Sequence, residues 1–156
     1  MDKTENALAL LYDDTILKHN REPCYFEKRV SAQHILDAYN PLCGDKFQLF
    51  FNIEDGKVQK ATFHGYGCAI SKAATSVLVQ KIQNMSVHDV QAVIKSYFDG
   101  LNGAYSVLAK DGHVHFSEEM KAFLAVRQFP ERLTCATLSW EAVQIFFQTQ
   151  SENGNN

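Results

Sequence analysis

Leu8, Leu11, Tyr12, Thr15 and Ile16 fall at the i, i+3, i+4, i+7, i+8 spacing of one helical face, with Asp13, Asp14 and Lys18 turned toward water. The spacing predicts a helix over about residues 5–19. No period is clear from Asn20 to Tyr39, where Pro23 interrupts the chain and a short strand fits only near His34 to Tyr39. The pattern then changes to alternation: Phe47, Leu49, Phe51 and Ile53 share a face, Asp55-Gly56 supplies a hairpin turn, and Val58 to Phe63 gives the return strand. Beyond Gly65 and Gly67 the period is helical again, through Ile70, Ala73, Ala74, Val77, Leu78 and Ile82. Ser86 with Asp89 three residues on reads as a capping box, opening a second helix that ends at Gly100. After a glycine-containing connector, Ser117 to Val126 reads as a short helix broken at Pro130, and Ala136 to Gln148 as the last helix. Ser151 to Asn156 reads as an unstructured polar tail.

The order of helix, strands, then helices predicts an α+β domain: a small antiparallel sheet of about three strands with helices packed on one face. Residues 1–150 form one domain on this reading, with no internal repeat and no linker between separate cores. A chain of 156 residues that is 46% hydrophobic supplies a sizeable core without staples, which excludes a disordered chain. Fifteen Lys and Arg against 18 Asp and Glu give a net charge of −3 without a basic stripe, so nucleic acid is not expected as a partner. Neither an apolar run of about 20 residues nor a cationic-then-apolar start is present, so membrane insertion and secretion are not expected and a cytoplasmic location is. In a reducing compartment, four cysteines point to metal ligation or thiol chemistry rather than to bridges.

Three of the four cysteines sit at junctions between a loop and an element. In Asn40-Pro41-Leu42-Cys43-Gly44-Asp45, Pro41 and Gly44 shape a turn, and Cys43 and Asp45, two apart in an extended loop, face the same way. A thiolate and a carboxylate converging there make half of a metal site, because a dication offsets their repulsion. The segment reads equally well as a plain turn into the strand at Phe47. Gly65-Tyr66-Gly67-Cys68 carries the chain into a helix whose first turn holds Cys68, where orphan amides and the helix dipole favour the thiolate. Arg132-Leu133-Thr134-Cys135 repeats the arrangement at the expected start of the last helix. Taken singly, either cysteine also reads as a small buried hydrophobe. Cys24, flanked by Pro23 and Tyr25, has no such context and reads as a bystander. His64, four residues before Cys68, and the pair His113 and His115 are not expected to be ligands.

The three segments together resemble the IscU/NifU-N-like family of iron–sulfur cluster assembly proteins, and in detail its SufU branch. The family's Asn-Pro-x-Cys-Gly-Asp motif is matched intact at Asn40 to Asp45, its Gly-x-Gly-Cys segment at Gly65 to Cys68, and its third cysteine at Cys135. The likeness runs from about Leu8 to Phe147. Scaffolds of the IscU type carry a histidine just before the third cysteine, where this chain has Thr134; Arg132 and the long interval from Asp99 to Arg132 resemble SufU-type proteins.

The resemblance implies an IscU-like fold and a metal site of Cys43, Asp45, Cys68 and Cys135 holding zinc, with an iron–sulfur cluster as the alternative cofactor. It implies a sulfurtransferase-like acceptor that takes persulfide sulfur from a SufS-type cysteine desulfurase and serves downstream iron–sulfur assembly proteins; the alternative role is a scaffold on which the cluster is built. Cys43, on the loop, would carry the sulfur. Arg132 would offset negative charge beside it, or be an exposed structural arginine. A purely structural zinc module is disfavoured by the lack of Cys-x-x-Cys knuckles.

Overall fold

The computed structural model describes residues 13–104 and 117–154. His113 and His115 lie outside the described residues, as does the first part of the helix expected from residue 5. Helix α1 spans Asp14–Arg21, starting at Asp14 because Asp13 is an extended N-cap whose side chain accepts from Ile16 N. Three strands follow: β1 (His34–Asn40), β2 (Asp45–Glu54) and β3 (Lys57–Tyr66). They form one antiparallel sheet in the order β1-β2-β3. The β2–β3 turn is at Asp55-Gly56 as expected, both residues taking the positive φ that suits a tight hairpin. The aperiodic stretch before β1 adds a short parallel contact at the β3 edge, where Phe63 N donates to Tyr25 O and Glu27 N to Phe63 O.

Helix α2 (Ala69–Ile82) is buried on almost every side, because it packs against α1, β3 and the last helix at once. Helix α3 (Val87–Asp99) opens with Ser86 Oγ accepting from Asp89 N, as the capping pattern predicts. An irregular turn (Gly100–Ala104) follows it. The expected helix at Ser117 to Val126 divides into α4 (Glu118–Lys121) and a tight 3₁₀ turn (Leu124–Gln128). Helix α5 spans Pro130–Gly154, and here the sequence reading is corrected twice. Pro130 starts the helix instead of breaking the one before, since its fixed φ and missing N–H suit the first helical position. At the other end the backbone stays helical through Ser151, where a tail was expected, because no proline or glycine intervenes before Gly154 and each added residue gains a hydrogen bond.

Helices α2 and α5 lie on the face of the sheet that carries Phe47, Leu49, Phe51 and Phe63, all fully buried. The opposite face presents Ile35, Tyr39 and Tyr66 to solvent. Helix α5 is fixed to α2 and α3 by polar contacts inside this apolar layer. Trp140 Nε1 donates to Ala74 O at 2.9 Å, Thr75 and Ser139 hydroxyls meet at 2.7 Å, and Tyr97 OH donates to Ala136 O at 2.6 Å. The Tyr97 and Trp140 rings stack with centroids 3.8 Å apart. Burial pushes the Tyr97 phenol well above its usual pKa, so it stays a donor. Each buried hydrogen bond contributes about 1 kcal/mol, and together they set the rotation and depth of α5 against α2.

Candidate metal centre

The Asn40–Asp45 segment is both things its sequence suggested. It is the turn joining β1 to β2, closed by the Asn40–Asp45 strand pair, and it presents a thiol and a carboxylate to one place. Buried Asn40 shapes it: its side-chain Oδ1 accepts from Leu42 N at 3.0 Å and its carbonyl accepts from Gly44 N at 2.9 Å. Gly44 closes the loop at φ +77, a left-handed conformation that costs glycine little. The result is an exposed Cys43 between two buried anchors.

Asp45 is only 2% exposed. Its Oδ1 accepts from Cys68 N at 3.0 Å, which joins the first cysteine segment to the second. Its Oδ2 is buried and has no hydrogen-bond partner, a costly state for a carboxylate oxygen unless a cation faces it. Cys68 is the N-cap of α2, its sulfur accepting from Ser71 N at 3.4 Å. The strand-to-helix junction is tight: a Cβ on Gly67 would lie 2.5 Å from Ser71 Oγ, 2.7 Å from Asp45 Oδ1 and 2.8 Å from a Phe47 ring carbon. Glycine is therefore required there by space rather than by φ.

Cys135 differs from the expectation. It lies within the second turn of α5, since Pro130 starts that helix, so no helix N-terminus activates it. It is 2% exposed, and burial first, then the charges of Cys68, Asp45 and Cys43, push its thiol up to about 12. Cys43 Sγ, an Asp45 carboxylate oxygen and Cys135 Sγ all lie within 4.8 Å of one another. Cys68 stands outside this triangle but next to it, its backbone N–H held by Asp45 and its thiol close enough to act on the Cys135 sulfur. Three thiols and a carboxylate thus share one small space. Without a cation, the neighbouring charges oppose ionisation of Cys135; a dication would reverse that preference and satisfy Asp45 Oδ2.

The remaining candidates separate clearly. Arg132 stands one turn before Cys135 on α5, on the same helical face and half-buried. His64 is exposed on the outer face of β3, its ring 4.8 Å from that of Phe26. Cys24 lies away from the metal residues, beside Ser76 and His19. Two features escaped the sequence reading: the Asp45–Cys68 amide bond, which depends on pairing between β2 and β3, and the enclosure of Cys135, which depends on how α5 packs.

A three-stranded antiparallel sheet backed by helices, with three cysteines and an aspartate meeting at one end, defines a class that comparison with known proteins identifies. Residues 11–136 match the family described as NifU-like N terminal domain, and the chain belongs to that family. The chain is 30% identical over 137 residues to the zinc-dependent sulfurtransferase SufU of Bacillus subtilis (strain 168), covering 88% of this chain and 89% of that protein. It is 25% identical over 139 residues to the iron–sulfur cluster assembly scaffold protein IscU of Streptococcus pyogenes serotype M1, covering 89% and 84%. In fold it resembles a crystal structure from Fervidobacterium islandicum AW-1, a protein assigned as an iron–sulfur cluster assembly scaffold of the SUF system, with TM-score 0.75 at 24% identity over 88% of this chain and 96% of that one. The family places the chain in iron–sulfur cluster assembly. No helix among the described residues is long and apolar enough to cross a membrane.

Proposed function

We propose that this protein is a zinc-bound sulfur acceptor that takes persulfide sulfur from a cysteine desulfurase and passes it on to iron–sulfur assembly. The carrying observation is that Cys43 is exposed on a glycine turn while its sulfur lies within 4.8 Å of buried Cys135 and of an Asp45 oxygen. Cys43, Asp45, Cys68 and Cys135 would hold the metal, and this S₃O set suits zinc, which favours four thiolate-rich ligands and has no redox chemistry of its own. When bound, zinc keeps the thiols ionised near neutral pH.

The residues around the metal do the rest. Cys43, at the tip of the loop, approaches the partner's persulfide; its thiolate bonds to the outer sulfur, the S–S bond breaks, and the electron pair leaves on the partner's cysteine, which is protonated. Asp45 and Cys135 are buried and hold the pocket in place meanwhile. Arg132 supplies positive charge one turn before Cys135, which favours the anionic sulfur species. A rim of exposed apolar residues, Leu42 on the loop with Tyr39 and Tyr66 on neighbouring strand ends, gives a protein partner a surface to dock on.

Similarity to IscU supports a second reading, in which the same cysteines carry a growing cluster as cargo. Metal analysis of aerobically purified protein separates the two. Zinc near one per chain, lost in Cys135→Ser, supports the acceptor; iron with matching sulfide and visible absorption supports the scaffold.

A further inference from the structure

Ser71, the third residue of α2, is 1% exposed and meets Cys68 at three points. Its amide donates to Cys68 Sγ at 3.4 Å, its Oγ lies 3.5 Å from the same sulfur, and its hydroxyl donates to Cys68 O at 3.1 Å. The hydroxyl sits in the gap that Gly67 leaves open, since a Cβ there would come within 2.5 Å of it. Asp45 Oδ1 borders the same gap at 2.7 Å, so Ser71 belongs to the wall of the metal centre.

The direction of the Ser71–Cys68 contact depends on the state of the sulfur. A neutral Cys68 thiol donates to Ser71 Oγ, and the hydroxyl then points at the Cys68 carbonyl. A thiolate has no hydrogen to give and only accepts. Turning the hydroxyl about its C–O bond reverses the contact with no heavy atom displaced, and the carbonyl it leaves still accepts from Lys72 N at 3.0 Å. Ionised Cys68 thus receives two donors, one amide and one hydroxyl, both from Ser71. Each carries a single hydrogen, so neither serves Cys43 or Cys135. Helix packing explains why a small residue is buried here, but it does not require the hydroxyl, because the carbonyl that the hydroxyl bonds already has a partner.

We propose that Ser71 is a positioning residue that divides the work among the metal cysteines, holding Cys68 as a retained, weakly nucleophilic thiolate so that sulfur goes to Cys43. This deepens the zinc-bound reading above and rests on it. Hydrogen bonds to an anionic sulfur are charge-assisted and draw electron density from it, which steadies the ionised ligand and slows its attack on a sulfur electrophile. The other two cysteines are governed by exposure: Cys43 is open on its turn and Cys135 is enclosed. Cys68 is only half-buried, so burial alone does not keep it from competing for the partner's sulfur.

The test uses the full chain loaded with zinc and labelled with iodoacetamide, the rate being read separately on the peptides of Cys43, Cys68 and Cys135. Ser71→Ala, shown folded by circular dichroism, is expected to raise the Cys68 rate about tenfold, leave the Cys43 rate within about twofold, and weaken zinc binding about tenfold in chelator competition. In the cobalt-substituted variant the sulfur-to-metal charge-transfer band is expected at longer wavelength, with the d–d bands that report geometry unmoved. A cadmium-113 form of the unmutated protein decides the matter even if the variant misfolds: scalar coupling is expected from the metal to the Ser71 amide proton as well as to the Cys68 β-protons. Zinc bound with an unchanged Cys68 rate in Ser71→Ala, an equal rise at Cys43 and Cys68, an unmoved charge-transfer band, or coupling to the Cys68 β-protons without coupling to the Ser71 amide overturns this inference and leaves the zinc-bound acceptor standing. Absence of zinc from the unmutated protein, or of any coupling to the Cys68 β-protons, overturns both.

Discussion

The two sides of the metal centre are built in opposite ways. On one side a four-residue loop between β1 and β2 carries Cys43, exposed and held only by Asn40 and the Gly44 turn. On the other, Cys135 sits in a helix tied to its neighbours by Trp140, Tyr97 and the Thr75–Ser139 pair, and is almost fully buried. Asp45 stands between them, buried like the helix but belonging to the strand that follows the loop. A site with one exposed and one enclosed thiol can offer sulfur to a partner without dismantling its core, because the two functions rest on backbone of different local stability. A fully enclosed set would serve structure alone.

Replacing Trp140 strikes the enclosed side hardest. Trp140→Ala removes the Ala74 bond and the stack on Tyr97, and should cost about 3–5 kcal/mol, lowering the midpoint of thermal unfolding and metal content together. Metal content unchanged in a destabilised Trp140→Ala protein would show that Cys135 does not depend on this packing. Gly67→Ala tests the junction between the sides, where the added methyl meets Asp45 and Ser71 below 3 Å. About 1–3 kcal/mol of stability should be lost, with weaker zinc retention under chelator challenge. The exposed side should respond differently. Leu42 is 94% exposed, so Leu42→Ala should change stability by less than about 0.5 kcal/mol yet weaken binding to a desulfurase, read by titration calorimetry. Equal binding would remove the loop from the docking surface.

The same contrast explains what the sequence made legible. The β2–β3 hairpin was visible because alternation and Asp-Gly are local signals, and the α2 and α3 starts were visible through Cys68 and Ser86. Cys43, Asp45 and Cys68 were readable as site candidates for the same reason, since turn glycines and a helix cap lie next to them in the chain. Cys135 was found but misplaced. A proline is a breaker in one register and a helix start in another, and only the packing of α5 distinguishes them at Pro130. The His19–Glu119 pair joins residues from opposite ends of the chain and carries no local signature at all.

The central claim is that the exposed thiol is the one that receives sulfur. It is tested most directly by mixing the metal-bound protein with a cysteine desulfurase and L-cysteine, then locating the added sulfur by peptide mass. The account predicts a gain of one sulfur atom on the peptide containing Cys43, faster desulfurase turnover, and loss of both in Cys43→Ala while the fold is retained. Sulfur appearing first on Cys135, or normal stimulation by Cys43→Ala, would contradict it.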